Sequence, residues 1–260
     1  MSELDKEQIQ RIVDKTKEML PSDAKLLWLS FTGSRAFGWG LKNFDYDIHG
    51  VYYKPGWFDY VHFGGNIGGM GVDLNLHESE HVLRMAFFHP SFETLVNLTN
   101  PIYVEYEDVY DLFMREIVSR ISKLFFYRST VENQISWLKG YFHPRTALHT
   151  YRVLLQPIYY VRKRKIKHNI FEIIEELGLD LKGPYICREA YNEGYQVSDK
   201  EQKLVWEEIN MLKKMYDEEI NNPHFSAATD WKHKDYREWY KFAEKIIRHI
   251  EDYLSEKFEQ

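Results

Sequence analysis

The sequence predicts an α+β protein, in which a sheet with helices is followed by an all-helical C-terminal region. Residues 44–49 and 70–77 alternate apolar and polar side chains with the period of a β-strand. From about residue 110 onward, the apolar residues recur at helical spacing instead. Because the strands precede most of the helices along the chain, we predict two domains, spanning 1–115 and 116–260.

The N-terminal segment predicts a helix followed by a buried strand. Residues 5–20 carry apolar side chains at helical spacing, and the pattern stops at Pro21, which cannot continue a helix. Residues 25–31, KLLWLSF, form a short apolar run that is typical of a buried strand. We expect the amphipathic helix to cover one face of the sheet.

A glycine-serine turn follows this strand. Gly33 lets the backbone approach a phosphate group closely, and Ser34 adds a hydroxyl donor beside free backbone N–H groups. Arg35 is placed to supply a guanidinium group to the same phosphates. The turn is therefore predicted to bind the phosphates of a nucleotide.

Two aspartates occupy alternate positions of the strand predicted at 44–49. Asp45 and Asp47 share its polar face, because side chains two residues apart point the same way. Two such carboxylates repel each other by about 2 to 3 kcal/mol at an effective dielectric of ~20, and a bound divalent cation reverses that sign. Magnesium prefers oxygen ligands and completes its shell with waters and phosphates. We therefore expect Asp45 and Asp47 to bind Mg²⁺, with Mn²⁺ as its substitute.

A third carboxylate lies on the other alternating strand. Residues 70–77, MGVDLNLH, place Asp73 on the polar face. If this strand pairs with the first alternating strand, Asp73 lies across from Asp45 and Asp47. It would then share their metal ions and take the proton from an attacking hydroxyl.

These residues form a pattern that resembles a known family. The string GSRAFG is followed after six residues by DYD and then IHGVY, with Asp73 on a later strand. This arrangement resembles the polymerase-beta-type nucleotidyltransferases, and especially their RNA-repair subfamily, RlaP. The resemblance implies a small mixed sheet with helices behind it as the catalytic domain. It also implies that Asp45 and Asp47 bind magnesium, that Asp73 completes the site, and that Gly33 and Ser34 bind phosphate.

The resemblance extends more weakly beyond the sheet. Residues 147–156, ALHTYRVLLQ, are similar to a helix of the same subfamily that carries a basic residue among apolar ones. Arg152 is that residue, and we predict that it contacts the nucleotide. The sequence departs from the subfamily at Phe44, where a serine is usual, and at His49, where arginine is frequent. Both departures leave the predicted metal ligands in place.

Charge is unevenly distributed along the chain. The formal net charge is −6, yet residues 123–168 contain ten Lys or Arg residues and a single acid, Glu132. A basic region on an acidic protein favours a polyanionic partner, either the nucleoside triphosphate or an RNA acceptor. The competing interpretation is that residues 162–167, RKRKIK, are a solvated helix face.

The predicted reaction is attack of an acceptor hydroxyl on the α-phosphorus of a nucleoside triphosphate, with pyrophosphate leaving, and an RNA end is the expected acceptor. Two alternatives stay open. A catalytically silent protein that binds nucleotide or RNA as a regulator would carry the same phosphate-binding features. A zinc hydrolase is suggested by residues 77–81, HESEH, which match the zinc-protease pattern. That motif requires both histidines on one helix, whereas His77 ends a strand pattern and Ser79 is predicted to cap a helix.

Composition favours a cytoplasmic enzyme. The single cysteine, Cys187, excludes an intramolecular disulfide and a multi-cysteine zinc site. No apolar run approaches membrane-spanning length, and residues 1–20 are charged rather than signal-like. The apolar stripe over residues 236–254 is predicted to be a core face, and it would equally suit a dimer. The sequence leaves the oligomeric state open.

Overall fold

A computed structural model describes residues 4–40, 45–56, 60–88, 99–118, 128–220 and 236–259. None of the helices in this part of the chain combines the length and the apolar composition needed to cross a bilayer. Residues Met114–Val118 form a π-helical turn. In chain order the elements are α1 (Lys6–Met19), β1 (Lys25–Thr32), α2 (Gly33–Ala36), β2 (Tyr46–Tyr53), β3 (Val61–Ile67), β4 (Met70–Glu78), α3 (Ser79–Phe88), β5 (Pro101–Val104), α4 (Glu107–Phe113), α5 (Arg128–Gly140), α6 (Pro144–Lys163), α7 (Ile170–Leu177), α8 (Gly183–Glu193), α9 (Asp199–Ile220) and α10 (Tyr236–Phe258).

The described strands form one mixed sheet in the order β3-β4-β2-β1-β5. Strands β2 and β4 are parallel neighbours, and the other adjacent pairs are antiparallel. The predicted α+β class is thereby confirmed. Strand β2 starts later than predicted, at Tyr46, so Asp45 immediately precedes the strand and Phe44 lies outside the described residues. The sequence patterns did not predict β3 or β5.

The chain forms two compact units, and each is discontinuous in sequence. The sheet unit comprises Met1–Gly33, Asn43–Ser122 and Trp231–Gln260. The helical unit comprises Ser34–Lys42 and Lys123–Asp230. The chain therefore passes from one unit to the other at the Gly33–Ser34 peptide bond. No single boundary along the chain expresses this division.

Helix α1 of the sheet unit has a strong N-terminal signal. The Asp5 side chain accepts a hydrogen bond from the Gln8 backbone, and the Gln8 side chain accepts one from the Asp5 backbone, which together make a capping box. The helix buries Ile12 and Val13 and packs against β1, β3 and β5. The predicted covering of the sheet by this helix is confirmed.

The cap of helix α3 differs from the prediction. Ser79 is the first residue of the helix rather than its cap. The Glu78 carboxylate accepts hydrogen bonds from the backbone N–H groups of Glu80 (2.7 Å) and His81 (3.2 Å). The Glu78 side chain therefore caps the helix in place of the Ser79 hydroxyl. The Ser79 hydroxyl instead donates a hydrogen bond to the Glu78 carboxylate at 2.6 Å. Glu78 is consequently buried at the end of β4.

Helix α10 completes the core of the sheet unit. It packs against α3 and α4 through a buried stripe that includes Ala243, Ile247, Ile250 and Leu254. The predicted core stripe is correct for these residues and wrong for Tyr240, which is exposed and stacks on Phe88 instead. The predicted stripe members Tyr236 and Trp239 have side chains outside the described part of the molecule.

A pair of carboxyl groups, the buried Glu78 and the partly buried Glu251, joins α10 to the start of α3. Glu251 lies near Glu78, and the Ser79 hydroxyl is 2.6 Å from Glu78 Oε1 and 3.4 Å from Glu251 Oε1. Burial, followed by repulsion from Glu78 and Glu80, raises the pKa of Glu251 to about 8, although Arg84 opposes the shift. Burial also raises the pKa of Glu78. In the folded protein, Glu251 therefore mostly keeps its proton at neutral pH.

Glu251 predicts one contribution to stability that falls as the pH rises. The folded protein retains a proton on Glu251 that the unfolded chain loses above its ordinary pKa of 4.5, so the contribution of this proton to the free energy of unfolding decreases between about pH 4.5 and about pH 8. Buried histidines with a lowered pKa, such as His49 and His77, act in the opposite direction in both proteins, so the expected result is that the urea midpoint of the natural protein falls relative to that of Glu251→Gln as the pH is raised from 5 to 8. An identical pH dependence in the variant and the natural protein would contradict the assignment.

The helical unit is built around α6. This helix begins at Pro144 after the N-cap His143, and α5, α7, α8 and α9 pack against it. Glu208 of α9 is buried and accepts hydrogen bonds from the Tyr151 hydroxyl (2.7 Å) and from the backbone N–H groups of Lys182 (2.8 Å) and Gly183 (2.9 Å). One buried carboxylate therefore fixes α6, α9 and the start of α8 to one another.

Candidate active site

Asp47 and Asp73 lie directly opposite each other on parallel strands. The register of β2 and β4 pairs Asp47 with Asp73 and Tyr46 with Val72. Neighbouring strands are about 4.8 Å apart, and paired residues point to the same face of a sheet. The predicted relation between these two aspartates therefore exists in the backbone. The sequence did not predict that their strands are parallel.

Asp45 and Asp47 occupy space that two glycines leave open. A Cβ atom on Gly71 would lie 1.9 Å from Asp45 Oδ1, so the Asp45 carboxylate lies against the start of β4. Gly71 precedes Asp73 by two residues along this strand. A Cβ atom on Gly33 would lie 1.7 Å from Asp47 Oδ2. Gly33 also has φ of 72°, a conformation that favours glycine. Gly33 is thus in direct contact with Asp47, whereas Asp45 contacts Gly71.

Asp73 is held by a network that sequence reasoning did not identify. Its Oδ1 atom is 2.9 Å from His62 Nε2 and accepts a hydrogen bond from Asn75 Nδ2 at 3.2 Å. The Tyr60 hydroxyl donates to Asn75 Oδ1, and the Tyr60 ring stacks on His62. The network fixes one carboxylate oxygen and leaves Oδ2 for another ligand. Alternation in β4 predicted the position of Asn75, whereas His62 lies on the unpredicted strand β3.

Neutral imidazoles continue the same face of the sheet. His49 stacks on His77 at 5.6 Å between ring centroids, and His77 stacks on His81 at 5.8 Å. Burial lowers the pKa of His49 to about 4, against the raising effect of Asp73. Burial, with His49 and His81, lowers the pKa of His77 to about 4. Both rings are uncharged at neutral pH, so they do not neutralise the neighbouring carboxylates.

The donor set suits a hard divalent cation. Among the described residues, no group of three or more His, Cys, Asp or Glu side chains is arranged to hold a metal ion. Magnesium does not require such a group, because it is commonly bound by one or two carboxylates together with waters and substrate phosphates. Asp47 and Asp73 are oxygen donors at paired positions of β2 and β4, and a pair of carboxylates fits this mode of binding.

The other predicted nucleotide contacts belong to the helical unit. The Ser34 carbonyl accepts hydrogen bonds from the backbone N–H groups of Trp39 and Gly40, which closes a tight loop containing Arg35. Arg152 is 3% exposed, and its guanidinium lies 4.4 Å from the Phe37 ring centroid. Arg152 is therefore a buried cation within α6, and the nucleotide-binding roles of Ser34, Arg35 and Arg152 stay predictions.

The Arg152 guanidinium affects two neighbouring histidines in the helical unit. Burial, with Arg152 and Arg145, lowers the pKa of His149 to about 3. Burial, with Arg152, lowers the pKa of His168 to about 4. Both imidazoles are uncharged at neutral pH, so the positive charge in this region is carried by the arginines.

The HESEH segment crosses a junction between two elements, as predicted. His77 lies in β4 and His81 lies in the first turn of α3. Their rings stack with an interplanar angle of 8°. The glutamate of the motif, Glu78, is buried and caps α3. This geometry differs from the helical arrangement that a zinc protease requires, and it does not support zinc hydrolysis.

Comparison with solved structures shows a similarity to a protein of known structure. No family model matches the sequence, and no curated protein matches it. The chain is similar to the crystal structure of a nucleotidyltransferase-like protein from Exiguobacterium sibiricum 255-15, with 10% sequence identity, over 96% of this chain and 91% of that chain. The TM-score is 0.36, which is too low to transfer the fold or activity of that protein to this chain.

Proposed function

We propose that the protein is a metal-dependent nucleotidyltransferase, which transfers a nucleoside monophosphate from a nucleoside triphosphate to an acceptor hydroxyl. The observation that carries the proposal is the direct pairing of Asp47 with Asp73 on parallel strands, beside Asp45 and the Gly33 turn. A solvated surface requires none of these features. Carboxylates placed this close together repel one another, and that cost is relieved when a cation binds.

The three aspartates have separate roles in the proposed reaction. Asp45 and Asp47 would hold Mg²⁺ or Mn²⁺, which when bound neutralises charge on the triphosphate. Asp73 uses the oxygen left by His62 and Asn75 to accept the proton of the acceptor hydroxyl. The acceptor oxygen forms a bond to the α-phosphorus, and the bond from that phosphorus to the β-phosphate bridging oxygen breaks. Pyrophosphate leaves with that electron pair.

We further propose an RNA end as the acceptor. The resemblance of GSRAFG and DYD to the RNA-repair subfamily supports this choice, as does the excess of basic residues at 123–168. An RNA 3′ or 2′ hydroxyl and a 5′ phosphate end differ in chemistry, and the proposed reaction uses a hydroxyl. A small molecule or a protein side chain would supply the same group without needing the basic region.

Incubation with α-labelled ATP, magnesium, total RNA and total protein tests both parts of the proposal. The expected result is label in the RNA fraction together with release of pyrophosphate. Label in the protein fraction would refute the acceptor and retain the reaction class. Tight nucleotide binding without pyrophosphate release, across all four ribonucleotides and deoxyribonucleotides, would identify a silent regulator instead.

A further inference from the structure

One long segment of the helical unit contains no acid. Residues 133–171 include eight Lys or Arg residues and neither Asp nor Glu. The segment forms the end of α5, all of α6 and the start of α7. Arg162 and Lys167 within it pair with glutamates from outside it, at Glu219, Glu172 and Glu176. The charges of Arg162 and Lys167 are therefore compensated by these glutamates.

Two exposed aromatic residues lie at the end of α5. Trp137 is 62% exposed and Tyr141 is 73% exposed, whereas Val131 and Leu138 of the same helix are buried. The Tyr141 backbone N–H donates to the Trp137 carbonyl at 3.1 Å, so the helical turn continues and both rings lie on one side of it. Exposure of two large aromatic rings to water is unfavourable, and a partner that stacks on them would remove this cost.

An uncompensated cation lies close to these rings in the chain. His143, the N-cap of α6, stacks on Tyr141 with ring centroids 6.3 Å apart, and its Nδ1 accepts a hydrogen bond from the Arg145 backbone N–H at 3.2 Å. Arg145 is exposed, and it forms no ion pair with any residue in the described part of the chain. The surface formed by Trp137, Tyr141 and Arg145, here called the aromatic-basic surface, therefore combines ring faces with positive charge.

We propose that the aromatic-basic surface binds single-stranded RNA. Bases of a single strand stack on the Trp137 and Tyr141 rings, and its phosphates pair with Arg145. A duplex offers phosphates but hides its base faces, and an acidic peptide offers charge but little to stack on the rings. The identification of this RNA as the acceptor rests on the proposed function, whereas the binding itself does not.

Binding of a fluorescein-labelled, unstructured oligoribonucleotide, followed by fluorescence anisotropy without nucleoside triphosphate, tests the proposal. Trp137→Ala and Tyr141→Ala are each expected to raise the Kd about 10-fold, within the range measured for lost base stacking. Trp137→Phe with Tyr141→Phe is expected to retain binding, because both rings remain. Arg145→Ala is expected to reduce the slope of log K against log salt by about 0.7.

Tyr195→Ala is the matched control. Tyr195 is also an exposed aromatic residue of the helical unit, at 41%, but its neighbours include Glu189, Glu193 and Glu201. Its replacement is expected to leave the Kd unchanged. Circular dichroism and urea unfolding of each variant separate lost binding from lost folding. An equal loss in Tyr195→Ala and Trp137→Ala would overturn the surface assignment.

Further outcomes distinguish binding of single-stranded RNA from binding of other polyanions and from the proposed transfer activity. Equally tight binding of a duplex, or capture of polyglutamate without capture of RNA, would overturn the proposal. Asp47→Asn with Asp73→Asn is expected to bind RNA as the natural protein does. One possible outcome is that the natural protein transfers no nucleotide, whereas replacement of Trp137 and Tyr141 abolishes its RNA binding. The surface assignment would then be supported, and the proposed activity would be refuted. Transfer to RNA that is unaffected by both replacements would give the reverse conclusion.

Discussion

Replacing Asp47 and Asp73 together by asparagine is expected to abolish nucleotide transfer in a protein that remains folded. Both carboxylates lie on the same face of the sheet at the same register position, and the proposed reaction uses both. A fall in the rate of pyrophosphate release of at least ~1,000-fold corresponds to about 4 kcal/mol of lost transition-state stabilisation. Asparagine is nearly isosteric with aspartate, so packing in β2 and β4 is preserved.

The same double replacement is expected to keep or raise stability. Two carboxylates about 5 Å apart repel each other by about 1 to 3 kcal/mol, depending on the local dielectric, and the amides do not. The Tm should therefore be equal to or above that of the natural protein. Asp14→Asn, at an exposed position of α1, is the control and should leave both transfer and Tm unchanged. Retained transfer by the folded double variant would refute the catalytic assignment.

Gly33→Ala is expected to lower both activity and stability. Gly33 has φ of 72°, where an alanine costs about 1 to 2 kcal/mol. Its new Cβ would also lie 1.7 Å from Asp47 Oδ2, so the carboxylate must move. We expect the rate of transfer to fall by about 100-fold, because misplacement of a catalytic group by about 1 Å has effects of this order. Pyrophosphate release and urea unfolding measure the two effects.

Gly56→Ala separates backbone strain from displacement of Asp47. Gly56 has φ of 69°, and a Cβ atom there would meet nothing within 4 Å. This control is expected to lose about 1 to 2 kcal/mol of stability through strain alone and to retain full transfer. If Gly33→Ala transfers nucleotide as well as Gly56→Ala does, the contact between Gly33 and Asp47 has no catalytic role.

Local patterns in the sequence predicted the parts of the fold that depend on local periodicity. The alternation over residues 70–77 of β4 follows its burial, because one face of the strand packs in the core and the other does not. The helical spacing of residues 5–20 likewise corresponds to α1. Strand β3 was missed because Phe63, Gly64, Gly65 and Asn66 are an edge segment with little burial to impose a pattern.

Long-range relations were not accessible from the sequence. The opposition of Asp47 and Asp73 depends on β4 adding beside β2 after the β3–β4 hairpin, and periodicity does not specify which strands pair. The contact of Asp45 with Gly71 and the network around His62 follow from that pairing. The sequence therefore predicted which residues carry the chemistry, whereas the geometry around them comes from tertiary packing.

The discontinuity of the sheet unit has a consequence for biosynthesis. Its strands are made early, but α10, which buries Ile247 and Leu254 on its side facing α3 and α4, leaves the ribosome after every residue of the helical unit. The sheet unit thus waits, with part of its apolar surface exposed, while the later-made unit already has its whole chain available for folding. Contacts of such high sequence separation form slowly, and nascent intermediates of this kind are prone to aggregate and to engage chaperones.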